Sequence, residues 1–202
     1  MTRPRAARGE GDQLREQLIE ATTALLAETG DERAVTIRAI VDAVGVTPPS
    51  LYLHFPTKQD LVREVVDRRF AALGQAIGQA VAEPAERGDA AEALRAGCLA
   101  YLRWAHDDPG GYQVLFGARR ETRSVGPDGS SNTAAFTSLK EGIGFCQATG
   151  VGRDGDVTRM ATLVWASLHG LATLVPTRPE FGWPPLETMV DELIAGLVGI
   201  GR

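Results

Sequence analysis

Side chains that can bind charged or hydrogen-bonding surfaces are concentrated in one stretch of the chain, from Thr36 to Lys58. The stretch reads TIRAIVDAVGVTPPSLYLHFPTK and contains hydroxyl, phenol, imidazole and ammonium groups. Hydroxyl and basic side chains hold anionic oxygen atoms through hydrogen bonds and charge. The chemistry predicted for this stretch is therefore recognition of another molecule.

Two short helices are predicted to position these groups. Thr36 can cap a first helix, and Gly45 can end it because glycine tolerates positive φ. Thr47 can cap a second helix, in whose first turn Pro48 and Pro49 are both acceptable. The first helix has apolar residues at spacings of three and four, which is typical of one buried face: Ile37, Ile40, Val41 and Val44.

The second helix is predicted to bury Leu51 and Phe55, which share a face by their i, i+4 spacing. The remaining side chains then lie nearer the outside: Thr47, Pro48, Ser50, Tyr52 and His54. Two amphipathic helices joined by a glycine turn are typical of a helix-turn-helix DNA reader. They also occur in helical proteins whose role is purely structural, so the pattern alone leaves both interpretations open.

The detailed run GVTPPSLYLHFPTKQDL resembles the signature of the tetracycline-repressor-like (TetR) family of bacterial transcription regulators. The resemblance covers about residues 12–65. Two departures are present: Val41 and Val44 stand where the family usually has alanines, and Pro49 stands where glycine is common. We expect a slightly different angle between the two helices and a stiffer backbone at Pro49.

The resemblance implies a role for each residue of the motif. Base edges in the major groove would be met by Thr47, Pro48, Pro49 and Ser50. Phosphates and groove edges would be met by Tyr52 and His54, and phosphates alone by Thr36 and Lys58. Two alternatives come from the residues themselves, because Tyr52 could pack in the core and Lys58 could be an ordinary surface charge.

The first residues of the chain form a basic arm although the whole chain is acidic. The formal net charge is −5 and the isoelectric point is near 5.3, yet residues 1–9 hold Arg3, Arg5 and Arg8 without an acid. Such an arm can lie on phosphates or enter a minor groove, or it can be an ordinary unstructured terminus. It is too short and polar for a signal peptide, and no membrane span is expected, so the sequence predicts a cytoplasmic protein.

The rest of the chain predicts an all-α protein with two domains. We expect a basic arm over 1–11, a three-helix helix-turn-helix DNA-binding domain over 12–56 and a connecting helix over 57–83. A larger C-terminal domain for effector binding and dimerisation would occupy 84–202. The connecting helix is predicted to end near residue 82, because Glu83-Pro84 follows.

The last two helices are predicted over about 154–175 and 185–200, and both carry apolar residues on more than one face. A helix on a protein surface needs only one apolar stripe, so the surplus predicts packing against a second subunit. The resemblance also implies a four-helix dimer interface. A two-fold dimer would require a roughly palindromic operator in double-stranded DNA.

Aromatic side chains in the C-terminal part could line a pocket for a small-molecule effector. Trp165, His169 and Gly170 resemble the Trp…His-Gly motif of one TetR subgroup, and His169 could donate a hydrogen bond to a ligand or be a satisfied structural histidine. Other aromatic residues could line the same cavity or be plain core. The candidate pocket residues are Tyr101, Trp104, Phe116, Phe136, Phe145, Trp165 and His169.

Competing functions have less support in the sequence. The three histidines are scattered and no nucleophile elbow or phosphate loop is present, so we expect no enzyme activity, no metal and no cofactor. Cys98 and Cys146 are expected to be reduced core residues. A helical protein-binding adaptor without DNA affinity is the alternative. The favoured hypothesis is a repressor released from its operator when an effector shifts the connecting helix.

Overall fold

The computed structural model describes residues 10–116 and 130–201, without the side chains of residues 10 and 130–133. The described residues form α-helices and no β-strand, which confirms the predicted all-α class. The helices are α1 (Glu10–Thr29), α2 (Ile37–Val44), α3 (Pro48–Tyr52), α4 (Lys58–Glu86), α5 (Ala90–Asp107), α6 (Pro109–Phe116), α7 (Ser130–Ala148), α8 (Val157–Thr177) and α9 (Leu186–Val198). A turn of 3-10 helix, Pro179–Phe181, precedes α9.

The chain divides into two compact units. Among the described residues, the first unit contains 10–70 and 109–116, and the second contains 71–108 and 130–201. The long helix α4 therefore contributes to both units, and α6 belongs to the first unit although it follows α5 in sequence. The boundaries predicted above, at 11/12, 56/57 and 83/84, divide the chain by function and stay predictions.

The first unit is built on α1, α2, α3, the first part of α4, and α6. Helix α2 packs against α1 and α3, and α6 packs against α1. Phe70, Tyr112 and Phe116 form an aromatic cluster, in which the Phe70 and Phe116 ring centroids are 6.0 Å apart and perpendicular. Of the core positions predicted for the two motif helices, Ile40, Val41, Leu51 and Phe55 are buried, whereas Ile37 and Val44 are half-buried.

Four charged side chains connect α1 to α4 within the first unit. Arg15 contacts Glu64 at 3.1 Å, and Arg68 hydrogen-bonds to Glu64 at 2.9 Å and to both carboxylate oxygens of Glu16. Burial alone would raise the pKa of Glu64, but hydrogen bonds from Arg15 and Arg68 outweigh it, so that the pKa is lowered. The Arg68 hydrogen bond also lowers the pKa of Glu16.

The second unit is organised around α5, which packs against α7, α8 and α9. The α5–α9 contact includes ion pairs from Arg95 to Asp191 at 2.5 Å and from Arg103 to Glu187 at 3.0 Å. Both cysteines are buried free thiols. Burial raises the pKa of Cys98 to about 12, so this thiol is protonated at neutral pH.

The predicted end of the connecting helix was wrong. Helix α4 continues through Pro84 to Glu86. A proline lacks one backbone donor, but Pro84 lies close to the end of the helix, where the loss of one hydrogen bond is tolerated. The Asp89 N–H donates to the Pro84 carbonyl at 2.9 Å, and Gly88 takes a positive φ of 73°. Helix α8 likewise continues through Pro176.

Candidate nucleic-acid interface

Helix α2 and the turn after it have well-defined ends. The Thr36 side chain accepts a hydrogen bond from the Ala39 N–H at 3.1 Å, so it caps α2. Its own hydroxyl hydrogen is not used in that bond and can still be donated. At the other end Gly45 takes a φ of 76° and donates its N–H to the Val41 carbonyl at 2.9 Å. This left-handed conformation strongly favours glycine.

Helix α3 buries one side and exposes the other. Leu51 is fully buried and Phe55 is nearly so. Thr47, Pro48, Pro49 and Tyr52 are exposed, while Ser50 and His54 are half-buried. All six of these predicted recognition residues therefore lie on α3 or within two residues of its ends, and each is exposed or half-buried. Tyr52 retains 49% of its accessible surface, so it does not pack wholly in the core.

The first turn of α3 has no free backbone donor. Pro48 and Pro49 lack an N–H group, and the N–H groups of Ser50 and Leu51 both point to the Thr47 carbonyl, at 2.9 and 3.3 Å. Recognition at this end of α3 must therefore come from side chains. The hydroxyl oxygens of Thr47 and Ser50 lie 3.1 Å apart and form the first polar group of this surface.

Lys58 lies at the start of α4, where its ammonium group binds the segment between α1 and α2. The Nζ atom donates to the carbonyl oxygens of Glu32 at 2.9 Å and of Val35 at 3.1 Å. An ammonium has three hydrogens, so one donor remains for a further acceptor. The geometry gives this lysine a structural role that its position in the motif did not reveal.

The amino-terminal end of α1 lies beside the carboxyl end of α3. A side chain added at Gly11 would begin 3.7 Å from Cε1 of His54. Helix α1 therefore begins next to the predicted recognition surface. Arg3 and Arg5, the predicted arm contacts, lie outside the described residues.

Two exposed side chains in the helix-turn-helix are not among the residues predicted to contact DNA. The Arg38 side chain on α2 is 90% exposed and lies 3.6 Å from Asp42, a surface pair that contributes little stability. Leu53, immediately after α3, is 84% exposed. Its exposure was predictable, because a residue two positions after the buried Leu51 points to the opposite side of a helix.

In the second unit, several candidate pocket residues lie next to one another. The Tyr101 hydroxyl and the His169 Nδ1 are 3.3 Å apart. The His169 and Trp165 rings have centroids 5.9 Å apart, and Phe136 packs edge-on against Trp165 at 6.1 Å. Burial lowers the pKa of His169, which keeps its imidazole neutral at neutral pH. The Lys140 ammonium lies 5.8 Å from the centroid of the Phe136 ring.

The other candidate pocket residues are placed differently. Trp104 is half-buried on α5, and Phe145 is 44% exposed on α7. Phe116 belongs to the first unit, in the aromatic cluster with Phe70 and Tyr112. An open cleft of about 630 Å³ between α5 and α9 is lined by charged residues such as Glu92 and Asp191 together with small and apolar residues such as Ile194. This cleft does not include the aromatic residues predicted to bind an effector.

Helix α8 carries an apolar face that the second unit leaves exposed. Leu163 and Leu174 are each 48% exposed, and Ala166 and Gly170 lie on the same stripe at helical spacing. Of the described helices, α8 alone is long and apolar enough, by length and composition, to cross a membrane. Only 28% of its 18-residue apolar stretch is buried. Its buried side packs against α5, α7 and α9.

A helix-turn-helix with capped helices and an exposed polar face is the DNA-binding motif of a class of regulators. In this chain the motif is joined to a second unit that is also built from helices, so the chain falls in that class. Residues 18–65 match the family described as "Bacterial regulatory proteins, tetR family", and residues 94–197 match "Tetracyclin repressor-like, C-terminal domain". The chain belongs to the TetR family of transcriptional regulators. Members of this family are soluble dimers that bind DNA and small-molecule effectors.

Relatives by sequence are also regulators. The chain is 30% identical to the HTH-type transcriptional regulator Rv0681 of Mycobacterium tuberculosis, over 81% of this chain and 70% of that protein. It is 40% identical to the repressor KstR2 of the same organism over 29% of this chain and 28% of KstR2. It is 30% identical to the activator FasR of Mycolicibacterium smegmatis over 52% of this chain and 46% of FasR.

Solved structures share the fold over nearly the whole chain. PfmR from Thermus thermophilus superposes with a TM-score of 0.69 at 20% identity, covering 93% of this chain and 97% of PfmR. The fatty acid degradation regulator FadR from Bacillus halodurans gives 0.70 at 17% identity, covering 96% of this chain and 97% of FadR. The solved structures support the fold, and family membership confirms the prediction of a ligand-responsive DNA-binding regulator rather than an enzyme.

Proposed function

We propose that this regulator binds a palindromic operator as a homodimer and is released from it by a small apolar effector. The observation that carries the proposal is the exposed side of α3, where Thr47, Ser50 and Tyr52 are accessible on a helix anchored by the buried Leu51. A short helix held in this way fits the major groove of B-form DNA, which is wide enough for one helix.

The residues of the motif divide into two groups by chemistry. Thr47, Ser50 and the rigid Pro48-Pro49 pair would meet base edges, because they occupy the outer face of α3 and its first turn. The phosphate contacts would come from the hydroxyls of Thr36 and Tyr52, from His54 and from the remaining donor of Lys58. Arg38 adds a guanidinium on α2 for the same purpose, because its side chain is almost fully exposed.

The amino-terminal arm would extend the DNA contact. Gly11, in the first turn of α1, lies against His54 just after α3, so α1 begins beside the proposed groove surface. Arg3 and Arg5 belong to a segment without acidic residues. Their contribution would be electrostatic and would fall as salt is added, because counterions compete for the phosphates.

The dimer would form through α8 and α9. The exposed stripe of Leu163, Ala166, Gly170 and Leu174 runs along α8, and Met189 and Leu193 of α9 are accessible within the monomer. Covering this surface with the same surface of a second copy gives a two-fold arrangement that closes on itself. The recognition helices of the two copies would then meet two half-sites about one helical turn apart. We also propose that the protein acts in the cytoplasm.

The effector would bind near four residues that lie next to one another in the second unit: Tyr101, Phe136, Trp165 and His169. Three rings and a neutral imidazole form a mainly apolar surface with few polar atoms, which suits an apolar ligand with one hydrogen-bonding group. A hundredfold change in operator occupancy requires the effector to prefer the released conformation by about 3 kcal/mol. The direction of the switch, release rather than activation, follows the family's usual behaviour.

Selection of duplexes from a random DNA library by the purified protein tests this proposal. We expect an inverted repeat with half-site centres about 10 base pairs apart, or a multiple of that spacing, bound by two copies of the chain. Ser50→Ala should weaken binding to the selected duplex more than to a scrambled one. Selection of a single asymmetric site bound by one copy would contradict the dimer proposal, and enrichment of no sequence would contradict specific readout.

A further inference from the structure

Leu53 has the highest exposed fraction of the large apolar side chains described in the structure. It retains 84% of its accessible surface, compared with 68% for Phe181 and 49% for Tyr52. Its backbone has helical angles, with φ −67° and ψ −25°, so it continues the path of α3 by one residue. A leucine held outward on a short, well-anchored helix is available to contact whatever covers that helix.

The direction of Leu53 follows from helix geometry. Successive residues of an α-helix are about 100° apart, so Leu53 lies about 200° from the fully buried Leu51. Ser50 precedes Leu53 by three residues and lies on the neighbouring part of the same outward face. A surface that reaches the Ser50 hydroxyl must therefore also meet the Leu53 methyl groups.

We infer that Leu53 reads sequence by packing against the C5-methyl group of a thymine in the major groove. The thymine methyl is the apolar group that base pairs of DNA present in that groove, and an apolar side chain distinguishes it from the polar edge of cytosine. The first turn of α3 has no spare backbone donors, so side-chain contacts dominate the readout. This inference rests on the proposed placement of α3 in the major groove.

The experiment replaces thymine by deoxyuridine, which removes only the methyl group. Each thymine in one half-site of the duplex selected by the wild-type protein is replaced in turn, and dissociation constants are measured for the wild type and Leu53→Ala. We expect the wild type to lose about fourfold in affinity at one thymine, the effect typical of removing one buried methyl group. Leu53→Ala should bind the thymine duplex more weakly and show no further loss with uracil at that position.

Two further variants separate a lost contact from a misfolded protein. Leu53→Met keeps an apolar side chain of similar volume and should retain most of the preference for thymine. Val151→Ala changes an exposed apolar residue outside the first unit. This variant should prefer the thymine duplex over the uracil duplex by the same factor as the wild type. Thermal unfolding should be unchanged in Leu53→Ala, because the side chain makes few contacts.

The outcomes distinguish this inference from the proposed function. If the wild type selects an operator but no thymine methyl affects binding, or if Leu53→Ala keeps the full preference for thymine, methyl readout by Leu53 is wrong while specific binding stands. Unchanged DNA binding together with altered self-association of Leu53→Ala would assign the residue to a protein contact instead. If the wild type selects no sequence, both the proposed function and this inference are overturned.

Discussion

The Lys58 ammonium donates a hydrogen bond to the carbonyl oxygen of Glu32, with 2.9 Å between Nζ and O. A second bond to the Val35 carbonyl, at 3.1 Å, fixes the segment between α1 and α2 to the start of α4. Both ends of this connection lie in the first unit. Lys58 therefore supports the fold of the proposed DNA-binding surface as well as offering one donor to a phosphate.

Removal of the Lys58 side chain should affect both stability and DNA binding. We expect Lys58→Ala to lower the free energy of unfolding by about 1–3 kcal/mol, because two carbonyl oxygens lose a charged donor. Affinity for every duplex should fall, and the slope of log K against log salt should decrease by about 1 if the third donor meets a phosphate. Urea unfolding and anisotropy titrations at several salt concentrations measure the two effects.

The matched control is Lys140→Ala, which removes the other lysine of the chain. Lys140 lies on α7 in the second unit, so its removal should leave the salt slope unchanged. A wild-type salt slope in Lys58→Ala would show that this ammonium serves the fold alone.

The charged connection between α1 and α4 predicts acid sensitivity of the first unit. Hydrogen bonds from Arg68 and Arg15 hold the pKa values of Glu16 and Glu64 below those of the unfolded chain. The unfolded state therefore takes up protons first as the pH falls. The stabilisation is complete above about pH 4.5 and is lost as the pH falls through the lowered pKa values.

Arg68→Gln tests this connection. The variant should be less stable than the wild type at pH 7, and the difference should shrink toward pH 3, as measured by urea unfolding of the intact chain. Arg87→Gln breaks an ion pair between Glu83 of α4 and Arg87, the residue that follows this helix, and serves as the control. If the loss of unfolding free energy in Arg68→Gln is the same at pH 7 and at pH 3, the role assigned to the two carboxylates is wrong.

His169 predicts a second pH effect at a different pH. Burial lowers its pKa in the folded protein below the unfolded value of about 6.5. Between these two values the unfolded chain binds the extra proton, so stability should fall as the pH drops below about 6.5. Thermal unfolding between pH 8 and 5 should show a flatter pH dependence for His169→Gln, whereas His106→Gln, at an exposed position, should behave as the wild type. Equal slopes for all three proteins would contradict the effect of burial on His169.

The apolar stripe on α8 predicts how the dimer can be separated. Leu163→Glu and Leu174→Glu place a carboxylate on the stripe, where the dimer would bury it without a partner. We expect sedimentation velocity to show a monomer with unchanged helix content by circular dichroism, and weaker operator binding. Val151→Glu changes an exposed apolar residue outside α8 and should remain dimeric. Dimers that persist in both α8 variants would place the interface elsewhere.

The helices of the motif were predictable from sequence because local signals agreed. The spacing of Ile37, Ile40 and Val41 defines a buried face, Thr36 caps it, and Gly45 ends it with a positive φ. The end of α4 was not predictable from Pro84 alone, because a proline near a helix end removes only one hydrogen bond.

The site was predictable only in part. Family resemblance pointed to α3 and Lys58, but the bonds from Lys58 to Glu32 and Val35 involve backbone carbonyls, which every residue carries and no side-chain motif marks. The aromatic residues of the second unit show why composition is not enough. Tyr101, Trp165 and His169 come together in space, while Phe116 packs with Phe70 in the first unit.

The most direct test of sequence-specific DNA binding is fluorescence anisotropy with duplexes that tile the DNA flanking the protein's own gene, at two salt concentrations, beside a scrambled duplex. We expect tight binding to one tile, weaker binding to the scrambled control and a loss of affinity at the higher salt. Equal, weak binding to every tile and to an inverted-repeat duplex obtained by selection, even at low salt, would contradict the claim that α3 forms a sequence-specific DNA-binding surface.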